Sequence, residues 1–63
     1  MDKLDRLFRL HEILDAHRYP VSEARLREQL ECGRSTLYRC LNDLKHRFGA
    51  PILSTPGRGW SYD

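Results

Sequence analysis

Proline and glycine divide this chain into short segments and so limit what it can fold into. The interruptions fall at Pro20, Gly33 and Gly49. Because proline cannot continue a helix and glycine favours turns, each segment can form at most one short helix or a pair of strands. The chain has 63 residues, which is enough for one domain with one small core and leaves little room for a deep catalytic cavity. We therefore expect a single domain over residues 1–63.

The first segment has the apolar spacing of an amphipathic helix. Apolar residues recur there at intervals of three and four. The pattern predicts a helix from Asp2 to about His17, which ends because the residue before Pro20 is disfavoured in helical conformation. The predicted buried stripe consists of Leu4, Leu7, Phe8, Leu10, Ile13 and Leu14.

The next two segments predict two further helices joined by a short turn. Ser22 is a suitable N-cap for a short second helix over roughly Glu23 to Glu31. A third helix is predicted over roughly Arg34 to Arg47, and Gly49 is suited to close it in a left-handed conformation. Its predicted apolar stripe consists of Leu37, Leu41, Leu44 and Phe48.

The C-terminal segment predicts a β-hairpin. Ile52 to Thr55 and Gly59 to Tyr62 are two short runs that favour strands, separated by a turn. Trp60 and Tyr62 share one face of the second strand. Because two strands alone are marginally stable in water, we expect this face to pack on the helices. The alternative is that the two rings stack on single-stranded bases. The predicted fold is mainly α with a small β-hairpin.

Positive charge is concentrated in the second half of the chain. The net charge is +2. Residues 1–31 hold six Lys and Arg against seven Asp and Glu, whereas residues 32–63 hold five against two. A polyanion would therefore dock on the second half.

Two helices joined by a glycine-containing turn, the second with a polar start, are typical of the helix-turn-helix, whose second helix enters the major groove of DNA. With about 100° per residue, Ser35, Arg39, Asn42 and His46 fall opposite the leucine stripe of the third helix. Arg39 is the first candidate for base contact, since a guanidinium bridges guanine O6 and N7 for about 1 to 3 kcal/mol of discrimination. Asn42 is suited to adenine.

The start of the third helix predicts phosphate contacts. The candidates are Arg34, Ser35, Thr36 and Tyr38, together with the backbone amides of the helix N-terminus. Arg58, between two glycines at the hairpin tip, is suited to the minor groove, whose negative potential attracts arginine. The alternative for Arg58 is a solvated turn residue.

Three stretches, which together cover essentially the whole chain, match the sequence pattern of a known family. They are RLFRLHEIL, PVSEARLREQLECGRSTLYRCLNDL and GAPILSTPGRGWSY. Together they resemble the N-terminal winged helix-turn-helix domain of WYL-domain and DeoR-type bacterial transcription regulators, in which the hairpin is the wing. The residues that match this pattern directly are Thr36, Tyr38, Arg39, Gly57 and Gly59.

The resemblance implies a DNA-binding domain that regulates transcription, with a recognition helix over about 34–47 and a wing over about 52–62. In that family a ligand-sensing and dimerising region follows the wing, which implies a homodimer on a pseudo-palindromic operator. The chain departs from the pattern at Gly33, Ser35 and Cys40, where the family commonly has serine, arginine and aspartate.

Other classes of function receive less support. Cys32 and Cys40 match neither a disulfide framework nor a zinc site, so we expect both to be reduced and partly buried. We expect no enzyme activity, cofactor or metal, because no catalytic set or phosphate-cradling loop is visible. No apolar run predicts a membrane span or signal peptide, and we expect a cytoplasmic protein. The main alternative is a winged-helix module that binds a protein instead of DNA.

Overall fold

The first helix, α1, covers Lys3–Ala16 in the computed structural model, which describes all 63 residues. Asp2 caps its start by accepting a hydrogen bond from the Asp5 amide at 2.8 Å. His17 follows its end in extended conformation. The helix therefore agrees with the predicted one, whose two outermost residues act as its caps.

The predicted apolar stripe of α1 is too wide. Leu7, Leu10, Ile13 and Leu14 are buried, but Leu4 and Phe8 are 58% and 61% exposed. At about 100° per residue the six predicted positions spread over more than half of the helix circumference. The helices and the strand that pack on α1 cover only one side of it, so the prediction of burial for Leu4 and Phe8 is wrong.

The second helix, α2, covers Glu23–Leu30. Ser22 is its N-cap as predicted, accepting a hydrogen bond from the Arg25 amide at 3.2 Å. Glu31 ends the helix one residue earlier than predicted by adopting a left-handed conformation with φ of 52°. That conformation is uncommon for a residue with a side chain and costs about 1–2 kcal/mol.

The third helix, α3, covers Arg34–His46, and Gly49 takes the predicted left-handed conformation with φ of 67°. Leu37, Leu41 and Leu44 are buried as predicted, but Phe48 is 64% exposed. Because the helix ends at His46, Phe48 lies outside the helical repeat, and its predicted burial is wrong.

The strands β1, Ile52–Thr55, and β2, Gly59–Tyr62, form the predicted antiparallel hairpin, with Ile52 opposite Tyr62. The hairpin is also joined to the chain before α2. Val21 exchanges two backbone hydrogen bonds with Trp60, of 2.7 and 3.0 Å. At Gly59, where φ is 126°, a Cβ would overlap the Val21 carbonyl, so the close approach requires glycine.

One core lies between the three helices and the hairpin. Its largest fully buried side chains are Leu10, Leu14, Leu26, Leu30 and Leu37. Trp60 and Tyr62 are half-buried and pack against this core, as predicted. Both cysteines are free thiols. Cys40 is buried and Cys32 half-buried, and burial raises the pKa of the Cys40 thiol.

Candidate nucleic-acid interface

The side of α3 that faces away from the core is polar and open to solvent. Its leucine stripe is buried, which fixes the rotation of the helix and turns Ser35, Arg39 and Asn42 outward. Arg39 forms no ion pair within the chain. The structure therefore places the two predicted base-reading side chains, three residues apart, on one exposed side of one helix.

The N-terminus of α3 carries unsatisfied backbone amides. Gly33 stands at the N-cap and supplies no side-chain hydrogen bond, and the first turn contains no acidic residue. Ser35 is exposed and Thr36 half-buried beside these amides. Because the helix dipole is also positive at this end, the site is suited to an anion such as phosphate.

Arg34 and Tyr38, two of the predicted phosphate ligands, are joined to Glu23 at the start of α2. The Tyr38 hydroxyl donates a hydrogen bond to Glu23 Oε1 at 3.0 Å, and Arg34 Nε lies 3.5 Å from the same oxygen. Arg34 Nη2 is 3.4 Å from the Tyr38 hydroxyl, and its guanidinium carbon lies 5.2 Å from the centre of the Tyr38 ring. These contacts align both side chains at the entrance of α3.

The hydrogen bond with Tyr38 and then the charge of Glu23 raise the pKa of Arg34 above its ordinary value. Like other arginines in proteins, Arg34 is a cation throughout the physiological pH range. The sequence prediction did not include Glu23. It precedes Arg34 and Tyr38 by 11 and 15 residues, and no local pattern in the sequence indicates a contact over that separation.

The hairpin lies beside the start of α3. The Tyr38 and Trp60 rings meet edge to face, with centres 5.5 Å apart. A cleft of about 330 Å³ separates the hairpin from the starts of α2 and α3, and Glu23, Tyr38 and Arg58 are among the residues that line it. Arg58 is exposed at the hairpin tip. The structure thus brings the predicted wing arginine and Tyr38, one of the predicted phosphate ligands, to one cleft.

Basic side chains of α1 lie beside Arg39. The sequence prediction did not include these α1 residues. A depression of about 250 Å³ is lined by Lys3, Arg6, Thr36, Arg39, Cys40 and Asp43. Arg6 is held by a hydrogen bond from its Nε to the Leu30 carbonyl at 3.2 Å. Lys3 is exposed and adds positive charge next to the outer side of α3.

A separate apolar groove of about 400 Å³ lies between α1 and the end of α3, among residues including Leu7, Phe8, Leu44 and Phe48. At its edge His11 Nδ1 and the Tyr62 hydroxyl are hydrogen-bonded at 2.8 Å. None of the predicted DNA-contacting residues lines this groove.

The structure contains neither a helix suited to span a membrane nor a group of side chains suited to bind a metal ion. None of the three helices combines the length and apolar character needed to cross a bilayer. No three His, Cys, Asp or Glu side chains are grouped so that they could hold a metal ion.

Comparison with known proteins identifies one family. A family model described as "HTH domain" matches residues 6–61, which includes all three helices in whole or part and nearly all of the hairpin. No curated protein and no solved structure gives a significant match. With three helices followed by a two-stranded antiparallel hairpin, the chain has the winged helix-turn-helix fold predicted from its sequence.

Proposed function

Because the chain belongs to this helix-turn-helix family, we propose that it binds duplex DNA in a sequence-specific manner and thereby regulates transcription. In this proposal α3 enters the major groove and the hairpin acts as a wing near the minor groove. The family match supports DNA binding and transcription regulation in general terms. The groove assignments and the roles of individual residues are our own.

The observation that carries the proposal is the contrast between the buried leucine side of α3 and its outer side, where Arg39 and Asn42 form no hydrogen bond or ion pair with other side chains. Arg39 reads guanine by donating to O6 and N7 together, and Asn42 pairs with adenine N6 and N7. Both side chains are exposed, so neither has to break a buried contact to reach a base edge.

Phosphate contacts set the position of α3 in the groove. The free amides at its start and the hydroxyls of Ser35 and Thr36 donate to phosphate oxygens. Arg34 and Tyr38 add a cation and a phenolic donor at the same end of the helix. Arg58 contacts the DNA from the hairpin tip and enters the minor groove.

We further propose that the chain acts as the DNA-binding domain of a WYL- or DeoR-type bacterial regulator in the cytoplasm, and that two copies bind one pseudo-palindromic operator. Half-sites on one face of DNA are about 34 Å apart. The domain extends 26 Å along its longest principal axis, which is less than that spacing.

The proposal is tested by selecting bound duplexes from a random-sequence library and then titrating the selected and a scrambled duplex by fluorescence anisotropy at several salt concentrations. We expect a common sequence among the selected duplexes. The logarithm of the binding constant is expected to fall linearly with the logarithm of salt concentration, by about 0.9 for each phosphate neutralised.

Failure to select any sequence, together with no salt-dependent binding, would contradict the proposal. That result would favour the alternative of a protein-binding winged helix, in which α3 contacts a protein partner. Stoichiometric zinc in the purified protein would instead reopen the question of enzyme activity, which neither the family nor the geometry of the chain suggests.

A further inference from the structure

The carboxylate of Glu23 contacts Arg34 and Tyr38, two side chains that the proposed function assigns to DNA phosphate. One of its oxygens, Oε1, accepts the hydrogen bond from Tyr38 and lies 3.5 Å from Arg34 Nε. The other, Oε2, lies 3.6 Å from Arg27 Nη1. Each oxygen of Glu23 therefore faces a guanidinium, in the way that the oxygens of a bound phosphate would.

Glu23 is less exposed than Arg34, with which it pairs. Its side chain is 29% exposed, whereas that of Arg34 is 68% exposed. The start of α3 contains no acidic residue and no side-chain cap. Glu23 is thus an anion supplied by α2 to an end of α3 that has none of its own. A phosphate that approaches this end meets Arg34 and Tyr38 already engaged.

We propose that Glu23 is an internal competitor of DNA phosphate, and that it lowers the affinity of the domain for duplexes of any sequence. The inference rests on the proposed function. A carboxylate and a phosphate are both anionic oxygen acceptors. Tyr38 has one hydroxyl proton and must exchange one acceptor for the other when DNA binds, whereas Glu23 offsets the positive charge that Arg34 offers to phosphate. Because phosphate contacts are independent of sequence, Glu23 acts on affinity and salt dependence and leaves the preference for bases unchanged.

The test uses Glu23→Gln, which keeps an oxygen that can accept the Tyr38 hydrogen bond but removes the negative charge. Glu28→Gln is the matched control, because Glu28 is an exposed residue of the same helix that forms no ion pair. Anisotropy titrations with the selected and the scrambled duplex are made across a salt series. Thermal melting of each variant verifies that it is folded.

We expect Glu23→Gln to bind both duplexes about two- to fivefold more tightly at low salt, the factor that corresponds to a released exposed ion pair. The slope against the logarithm of salt is expected to steepen by up to about 0.9, because the displaced carboxylate of the wild type takes up a counterion and the neutral glutamine does not. Glu28→Gln is expected to give a smaller gain and an unchanged slope. In a background of Arg34→Gln with Tyr38→Phe, the extra gain from Glu23→Gln should disappear.

Two results would overturn the inference while leaving the proposed function intact. In one, the wild-type domain binds DNA and Glu23→Gln binds no better than Glu28→Gln, which would mean that Glu23 does not compete with phosphate. In the other, Glu23→Gln changes the selected sequence at one position, which would mean that the carboxylate reads a base such as cytosine through its N4 amino group. A wild-type domain that binds neither duplex would remove the proposed function and this inference together.

Discussion

The two long sides of α3 have opposite surroundings, and this difference separates folding from function in the molecule. On one side Leu37 has no exposed surface, and Leu41 and Leu44 retain only 7% and 6% of theirs. On the other side Arg39 and Asn42 face solvent. The buried side holds the helix in place, whereas nothing in the fold requires the identity of the outer side chains. The outer side is therefore where requirements other than stability can act on the sequence.

The largest effect on stability is expected from truncating a side chain on the buried side of α3. Leu37→Ala removes apolar volume from a site with no exposed surface and should lower the free energy of unfolding by about 2–5 kcal/mol. Asn42→Ala on the outer side should change it by less than about 0.5 kcal/mol. Urea denaturation followed by circular dichroism measures both. Equal midpoints for the two variants would remove the distinction between the sides of α3.

The second effect should appear in DNA binding and not in stability. Arg39→Ala is expected to weaken binding of the selected duplex by about 1 to 3 kcal/mol and to relax the preference at one base pair. Arg47→Ala, at the residue that follows the end of α3, is the control, since Arg47 is exposed and paired only with Asp43 at 3.9 Å. Anisotropy titrations of both variants with the selected duplex measure the difference in affinity. An Arg39→Ala variant with unchanged base preference would show that another residue reads the sequence.

A smaller effect is expected where the apolar pattern continues past the end of α3. Phe48→Ala should lower the free energy of unfolding by less than about 1 kcal/mol, because more than half of the ring is already exposed. Leu44→Ala, which truncates a buried leucine of the same stripe, provides the comparison. The measurement is again urea denaturation. A loss for Phe48→Ala as large as that for Leu44→Ala would mean that the ring is buried in solution.

The smallest effect is a pH dependence of stability. It comes from Cys40 on the buried side of α3 and from Tyr62 of β2, which packs against the same core. Burial raises the pKa of the Cys40 thiol above 9.0 and that of the Tyr62 hydroxyl above 10.0, the latter helped by the charge of Asp15. Above pH 9 the unfolded chain therefore releases protons that the folded chain retains, and stability should fall as pH rises. Thermal melting between about pH 8 and pH 10, a range around the ordinary pKa of a thiol, measures the decline.

In Cys40→Ala the part of this decline that begins near pH 9 should be smaller. Stability that rises across this range in the wild-type domain would contradict the assignment, because it would require the folded state to release protons first.

Local signals in the sequence predicted most of the fold. Ser22 and Gly49 marked helix ends through their own conformational preferences, and the hairpin strands were predicted with their observed bounds. The errors concern Leu4, Phe8 and Phe48. Helical periodicity shows which residues share a side, but it does not show how much of that side a small domain can cover.

Contacts between distant parts of the chain could not be predicted. Val21 extends the sheet through two hydrogen bonds to Trp60, although nothing around Val21 has the alternation of a strand. Glu23 has the sequence context of an ordinary acidic residue in a first turn, and its contacts with Arg34 and Tyr38 depend on how α2 packs on α3. Of the candidate interface, the exposed residues of α3 followed from helical spacing, whereas the contacts of Glu23 with Arg34 and Tyr38 required the structure.

The most direct test of the central claim is a titration of the ¹⁵N-labelled domain with the selected duplex, followed by amide chemical shifts. The outer side and the start of α3 are predicted to bind DNA, so the largest changes should fall in residues 33–42 and 57–59. Amides around Phe8 and Phe48, in the apolar groove, should change little. Changes centred on that groove, with the amides of α3 from Arg34 to Asn42 unaffected, would contradict the account.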